Sequence, residues 1–190
     1  NVESISKWYY AKMHSNYPRY IEENAQGGIN WVKETVGEHE SDSLLWGFVG
    51  NAFDGIKLIN KATGHAVVST GGDAQMGDAA NATAFVYSAT ETNALNGFCL
   101  KYPDSSNFLN AHDGKVAEWG NADAGSTFLL EEYVEVTSLA VLGAMAGDVA
   151  IVDGAATVES ISSFDITFDR PVALAEDAEW AILTDQWGDN

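Results

Sequence analysis

Three aromatic residues divide this chain at nearly equal intervals. Trp46, Phe85 and Phe128 stand 39 and 43 residues apart, each preceded by small or polar residues and followed by a short strand-like run: "LLWGFVG", "TAFVYSA" and "STFLLEEY". Such spacing is too regular for unrelated hairpins, and a period of this length marks a repeat architecture. Three segments align on it. The first runs from "WYYAKMHSNYPRYIEE" to "SDSLLWGFVG", the second from "GIKLINKATGHAVVS" to "NATAFVYSA", and the third from "GFCLKYPDSSNFLNA" to "GSTFLLEEY".

Within each segment an opening strand leads through a polar turn to an apolar pair: Tyr20 and Ile21, Val67 and Val68, Phe108 and Leu109. Short β-branched and aromatic runs between Gly, Asn and Asp clusters read as strands throughout, so the chain is all-β. The stretch from Ala25 to Glu40 hints at a helix, but its two glycines ahead of Trp31 and Val32 argue for a loop and another strand. A four-stranded unit of about 40 residues cannot bury its apolar face alone. Three of them can close on one another, which also removes exposed strand edges.

The segments from residue 7 to 133 resemble a β-trefoil of the ricin-type lectin family. That family's Gln-x-Trp close is represented here by "LLW", "TAF" and "STF", with the aromatic kept and the Gln lost. The phrasing "KWYYAKMHSN", "LWGFVGNAFDGIKLINKATG" and "GSTFLLEEY" resembles trefoil modules appended to large secreted or surface glycan-processing proteins of gut Bacteroidetes. The resemblance implies a β-trefoil over residues 1–134, a periplasmic or extracellular location, and an accessory, non-catalytic role in binding carbohydrate. After Tyr133 the composition changes, and "TVESISSFDITFDRPV" resembles a strand pair of bacterial Ig-like domains. A whole Ig-like sandwich takes about 100 residues. Residues 135–190 number only 56. They are expected to be a truncated Ig-like domain, a half completed by another chain, or a small β unit.

The formal charge of −19, from 28 acidic against 9 basic residues, would repel a polyphosphate or an anionic bilayer. Nucleic acid is therefore not the expected partner; uncharged glycans and adjoining domains of a parent protein are. No apolar run approaches the roughly 20 residues needed to span a bilayer, and "NVESISKWYY" lacks the basic start and apolar centre of a signal peptide. A start without Met is expected of a chain cut from a longer one. Cys99, the single cysteine, can form no intramolecular disulfide and reads as a buried, inert thiol.

No hydrolase signature stands out. There is no Gly-x-Ser-x-Gly elbow, and Ser126 in "DAGSTF" directly precedes a repeat-closing strand, as Leu44 and Thr83 do in the other copies. "EHESDS" lacks the second His of a zinc helix, and His14, His39, His65 and His112 fall at no ligand spacing. The acids of "GGDAQMGDAAN" read as a solvated turn and not as a calcium loop. Neither a metal, a cofactor nor a catalytic residue is expected.

Sugar binding needs an aromatic plane for the apolar face of a pyranose and a few fixed polar groups to orient it. "NAHDGKVAEW" places Asn110, His112, Asp113 and Trp119 around a single turn. Trp119 falls where the ricin-type family carries its stacking aromatic, and Trp31 in "GINWVKE" is the expected counterpart in the first repeat. The alternative for both is a ring packed over the cap of the trefoil. Other positions depart from the family: its strand acid is replaced by Ile59 and Lys101, and its Asn and Gln before the closing aromatic by Gly125 and Ser126. If the module binds no sugar, it is expected to be a spacer or docking module whose apolar surface includes Trp8, Tyr9 or Trp187.

Overall fold

The computed structural model describes residues 5–37, 40–135, 140–146, 149–151 and 164–169. Contacts cluster into two units, Asn1–Val134 and Glu135–Asn190. In the first, each repeat supplies four strands. The first repeat gives β1 (Trp8–Met13), β2 (Arg19–Glu23), β3 (Ile29–Lys33) and β4 (Leu45–Asn51). The second gives β5 (Gly55–Asn60), β6 (Ala66–Val67), β7 (Met76–Gly77) and β8 (Val86–Ala89). From the third come β9 (Phe98–Lys101), β10 (Phe108–His112), β11 (Lys115–Trp119) and β12 (Phe128–Tyr133).

The first and fourth strands of the repeats form a closed ring. β12 pairs with β1 from Trp8↔Tyr133 to Met13↔Phe128, β1 with β4, β4 with β5, β8 with β9, and β9 with β12. The last gap, between β5 and the entry to β8, is closed by the bridge Ile56↔Phe85, whose two backbone bonds measure 2.7 and 2.9 Å. Closure pairs the edges that a single repeat would leave open.

The middle strands form three hairpins, β2–β3, β6–β7 and β10–β11. They are joined to one another by Lys115↔Asn30, by the bridge Asp73↔Ala117 and by Met76 N–H donating to Gly27 O at 2.8 Å. The result is a three-cornered cap of hairpins joined to a six-stranded ring.

The closing aromatics sit where the period requires a core. Trp46, Phe85 and Phe128 are wholly buried, in one cluster with Met13, Ile21, Leu58, Leu100, Tyr102 and Leu109. Phe128 stacks on Phe98 at 5.6 Å, and Phe85 meets Tyr102 edge-on at 5.1 Å. Burying each such side chain stabilises the fold by about 1.5–3 kcal/mol. Trp46 carries a polar atom into this core, and its Nε1 donates to Ile21 O at 3.0 Å, so no donor is stranded.

Each closing strand follows a one-turn 3₁₀ segment: Asp42–Leu44, Ala79–Asn81 and Ala124–Ser126. These are capped by the side chains of Ser41, Asp78 and Asp123. On β1 the strand alternation separates the aromatics, with Tyr9 edge-on to Phe48 and Tyr10 edge-on to Tyr20 and Tyr133. Trp8 lies over Gly47, so the residues expected to face a neighbouring domain are half-buried here against their own sheet.

In the second unit the described residues form a three-stranded antiparallel sheet of β13 (Val141–Ala146), β14 (Val149–Ala150) and β15 (Phe164–Phe168), in the order β14–β13–β15. Of the Ig-like strand pair expected from the sequence, "FDITF" is β15; most of the remainder, with Trp187, lies outside the described residues.

Candidate functional site

The β10–β11 hairpin turns on two residues, Asp113 and Gly114, with φ of 51° and 76°. Such a tight turn needs two left-handed residues, and Asp-Gly is a preferred pair for it. The register then puts Phe108, Asn110 and His112 on one face of β10, with Trp119, Ala117 and Lys115 directly opposite on β11. Ala117 leaves room beside Asn110, and the His112 and Trp119 rings approach to 5.6 Å.

Asn110, only 3% exposed, is the hub. Its Nδ2 donates to Ser126 Oγ at 2.9 Å and to Asp123 Oδ1 at 3.1 Å. Both amide hydrogens being used, Oδ1 accepts from His112 Nδ1 at 2.9 Å. In the neutral ring this leaves Nε2 of His112 as a bare acceptor. Gly125 explains why the hub fits: a Cβ there would come within 2.7 Å of Asn110 Nδ2. Gly125 and Ser126 are thus coupled to the position of Asn110.

Asp123 ties hairpin to 3₁₀ turn. Oδ1 also accepts from Ser126 N–H at 3.3 Å, while Oδ2 accepts from Trp119 Nε1 at 3.0 Å. Held by its edge, the Trp119 ring remains 45% exposed. Asp113 is exposed at the hairpin tip.

The opposite wall comes from the first repeat. The β1–β2 turn is fixed to the third repeat by His14 N–H donating to Thr127 O at 3.1 Å and Ser15 N–H donating to Ala124 O at 3.0 Å. His14 has a φ of 75°, a conformation that costs a non-glycine residue of this kind about 1–3 kcal/mol. Its ring stacks on Tyr17 at 3.9 Å and lies 5.5 Å from Trp31, which is itself 6.4 Å from Tyr17, so the three rings form one cluster, with the Arg19 guanidinium 5.2 Å from the Trp31 ring centre. Burial holds the His14 imidazole below its usual pKa; Asp123 pulls the other way and Arg19 reinforces the burial. His14 Nδ1 is buried and makes no side-chain hydrogen bond among the described residues.

His14, Asn16, Tyr17, Asn110, His112, Asp113, Trp119, Asp123 and Gly125 together line a cleft of about 530 Å³. Among the described residues no Lys or Arg lines it.

Of the residues singled out from the sequence, Asn110, His112, Asp113 and Trp119 share this cleft. Trp31 does not line it: the ring is 8% exposed, its Nε1 donates to Met13 O at 3.2 Å, and its flat faces are occupied by His14 and Arg19. Counted from the hairpin tip, Trp31 opposite Ile21 matches Ala117 opposite Asn110, whereas Trp119 matches Lys33. Trp31 packs beside the His14 and Tyr17 rings and supports that wall. Asp123, His14 and Tyr17 were passed over by the sequence reading; the recurrence of Ser41, Asp78 and Asp123 ahead of each closing strand was a signal for the first of them.

Asp73 pairs with Lys115 at 2.7 Å and Asp78 caps its 3₁₀ turn through Ala80 N–H. Among the described residues no three His, Cys, Asp or Glu side chains gather as metal ligands, and Glu38 and His39 of "EHESDS" lie outside those residues. Cys99 is buried, and that burial pushes its thiol pKa up.

No protein-family model matches the chain, and no curated protein matches it. Solved structures do. The ricin B-like lectin of Macrolepiota procera in complex with lactose superposes with a TM-score of 0.53 at 12% identity, covering 69% of this chain and 99% of its own. The Rhizoctonia solani agglutinin gives 0.52 at 15% identity, over 70% of this chain and 99% of its own. The BEL β-trefoil gives 0.52 at 13%, over 70% and 97%. At these identities the likeness establishes the fold: the first unit is a β-trefoil.

Proposed function

We propose that this β-trefoil is a carbohydrate-binding module that acts without catalysis. The observation that carries the reading is the convergence, in one cleft, of a half-exposed Trp119 anchored by its edge with Asn110, His112, Asp113 and Asp123 around it. An indole face suits the apolar face of a pyranose, and the polar ring around it suits the hydroxyls. Asp123 accepts from Asn110, Trp119 and Ser126, which commits it to scaffolding and not to proton transfer or nucleophilic attack. That the superposable Macrolepiota procera protein is a ricin B-like lectin in complex with lactose supports the direction of the reading; fold alone does not assign function.

The sequence resemblance supports a finer setting: an accessory module of a larger secreted or surface glycan-processing protein of Bacteroidetes type, followed by an Ig-like segment that joins it to adjoining domains. The ligand is a neutral glycan, because Asp113 and Asp123 line a cleft to which no Lys or Arg among the described residues contributes. A glycan array with the full chain tests this, followed by calorimetry on each hit. Trp119→Ala is expected to weaken binding at least tenfold; an array without hits, or hits indifferent to that substitution, removes the proposal.

A further inference from the structure

Resting on the carbohydrate reading, we infer that the β1–β2 turn builds a second sugar subsite on Tyr17, so that the cleft takes at least a disaccharide of neutral sugars. Trp119 and its polar ring belong to the third repeat; Tyr17, His14 and Asn16 arrive from the first. Tyr17 is 57% exposed, yet its ring is held flat on His14 at 3.9 Å, and Trp31 packs beside both at 6.4 and 5.5 Å. A stacked, exposed aromatic lining a cleft is a ready platform, ordered before any ligand arrives, so binding loses little side-chain freedom.

The construction of that wall argues for use. A left-handed histidine and a buried ring nitrogen without a partner are both unfavourable. They accompany the placement of the imidazole against Tyr17, and strain of this kind gathers at ligand sites. The two backbone bonds from His14 and Ser15 to Thr127 and Ala124 fix the turn against the segment that carries Asp123, so the two aromatic walls are set by one rigid frame. At about 530 Å³ the cleft is well above the low end of the range for small-molecule sites and larger than one pyranose requires.

The test is calorimetry on the full chain with neutral methyl glycosides and the disaccharides built from them: lactose, cellobiose and N,N′-diacetylchitobiose. The best disaccharide is expected to bind about tenfold tighter than its better monosaccharide, equal to about 1.4 kcal/mol. Tyr17→Ala brings the disaccharide down to the affinity of its better monosaccharide, Tyr17→Phe keeps the advantage, and Trp119→Ala weakens both ligands. If mono- and disaccharide bind equally, or if Tyr17→Ala leaves their ratio intact, the second subsite is wrong while the glycan reading survives. If no neutral sugar binds the unmodified chain, both fall.

Discussion

Asp123 is where the site and the stability of the third repeat can be separated. Replacing it with Ala removes the cap from Ser126 N–H, one acceptor from the buried Asn110 amide, and the edge anchor of Trp119. Loss of such a cap costs about 1 kcal/mol. A buried amide hydrogen left without a partner costs about 1–3 kcal/mol more. The Trp119 bond lies at an exposed ring, where water replaces it at little cost. Asp123→Ala is therefore expected to lower stability by about 2–4 kcal/mol, which at a slope of about 2 kcal/mol per M of urea is a midpoint shift of about 1–2 M.

Asp123→Asn divides the effects. Its one carboxamide oxygen can serve Asn110 and Ser126, but an NH₂ then faces Trp119 Nε1, donor against donor. Stability should fall by less than in the Ala variant, while sugar affinity falls comparably because the indole has lost its anchor. Urea melts of the full chain followed by near-ultraviolet circular dichroism, with calorimetry on the best glycan, measure both. An Ala variant within about 0.5 kcal/mol of the parent, the range of an inconsequential surface change, would refute the network as the organiser of this site.

Two further outcomes follow from the same geometry. Gly125→Ala places a Cβ within 2.7 Å of Asn110 Nδ2, so Asn110 must shift, and glycan affinity is expected to drop by an order of magnitude or more; calorimetry checks it. Burial lowers the pKa of folded His14 from its ordinary 6.5 against the pull of Asp123, so as pH falls through that value the unfolded chain gains this proton first. Stability contributed by neutral His14 is complete above the unfolded pKa and is lost as pH falls toward the folded one. Thermal melts from pH 7.5 to 5 should show a steeper loss for the parent than for His14→Gly, which also relieves the left-handed backbone; parallel slopes would show that His14 does not titrate as described.

The repeat was legible because its period is the period of the core. Trp46, Phe85 and Phe128 are buried in one cluster, and nothing else in the chain forces aromatics to that spacing. Asn110, His112, Asp113 and Trp119 could be grouped because one hairpin carries them, and strand alternation with a two-residue turn is a local rule. Tyr17, His14 and Asp123 escaped because their adjacency comes from ring closure, which joins β1 to β12 across the whole unit. Trp31 was misplaced for a related reason: its hairpin has a longer loop and a register shift between Tyr20 and Ile21, so linear position does not equal position from the tip.

The pairing of β1 with β12 has an architectural consequence. Trp8 and Tyr133 are direct neighbours in the sheet, so the chain enters and leaves this unit at one point on its rim. Side-by-side ends of this kind demand no separation between the points at which a chain enters and leaves, the geometry that lets a unit be inserted into or removed from a loop. The ring itself has no privileged beginning, and a chain rejoined at Trp8 and Tyr133 and opened at the exposed Phe53 hairpin tip would trace the same β-trefoil.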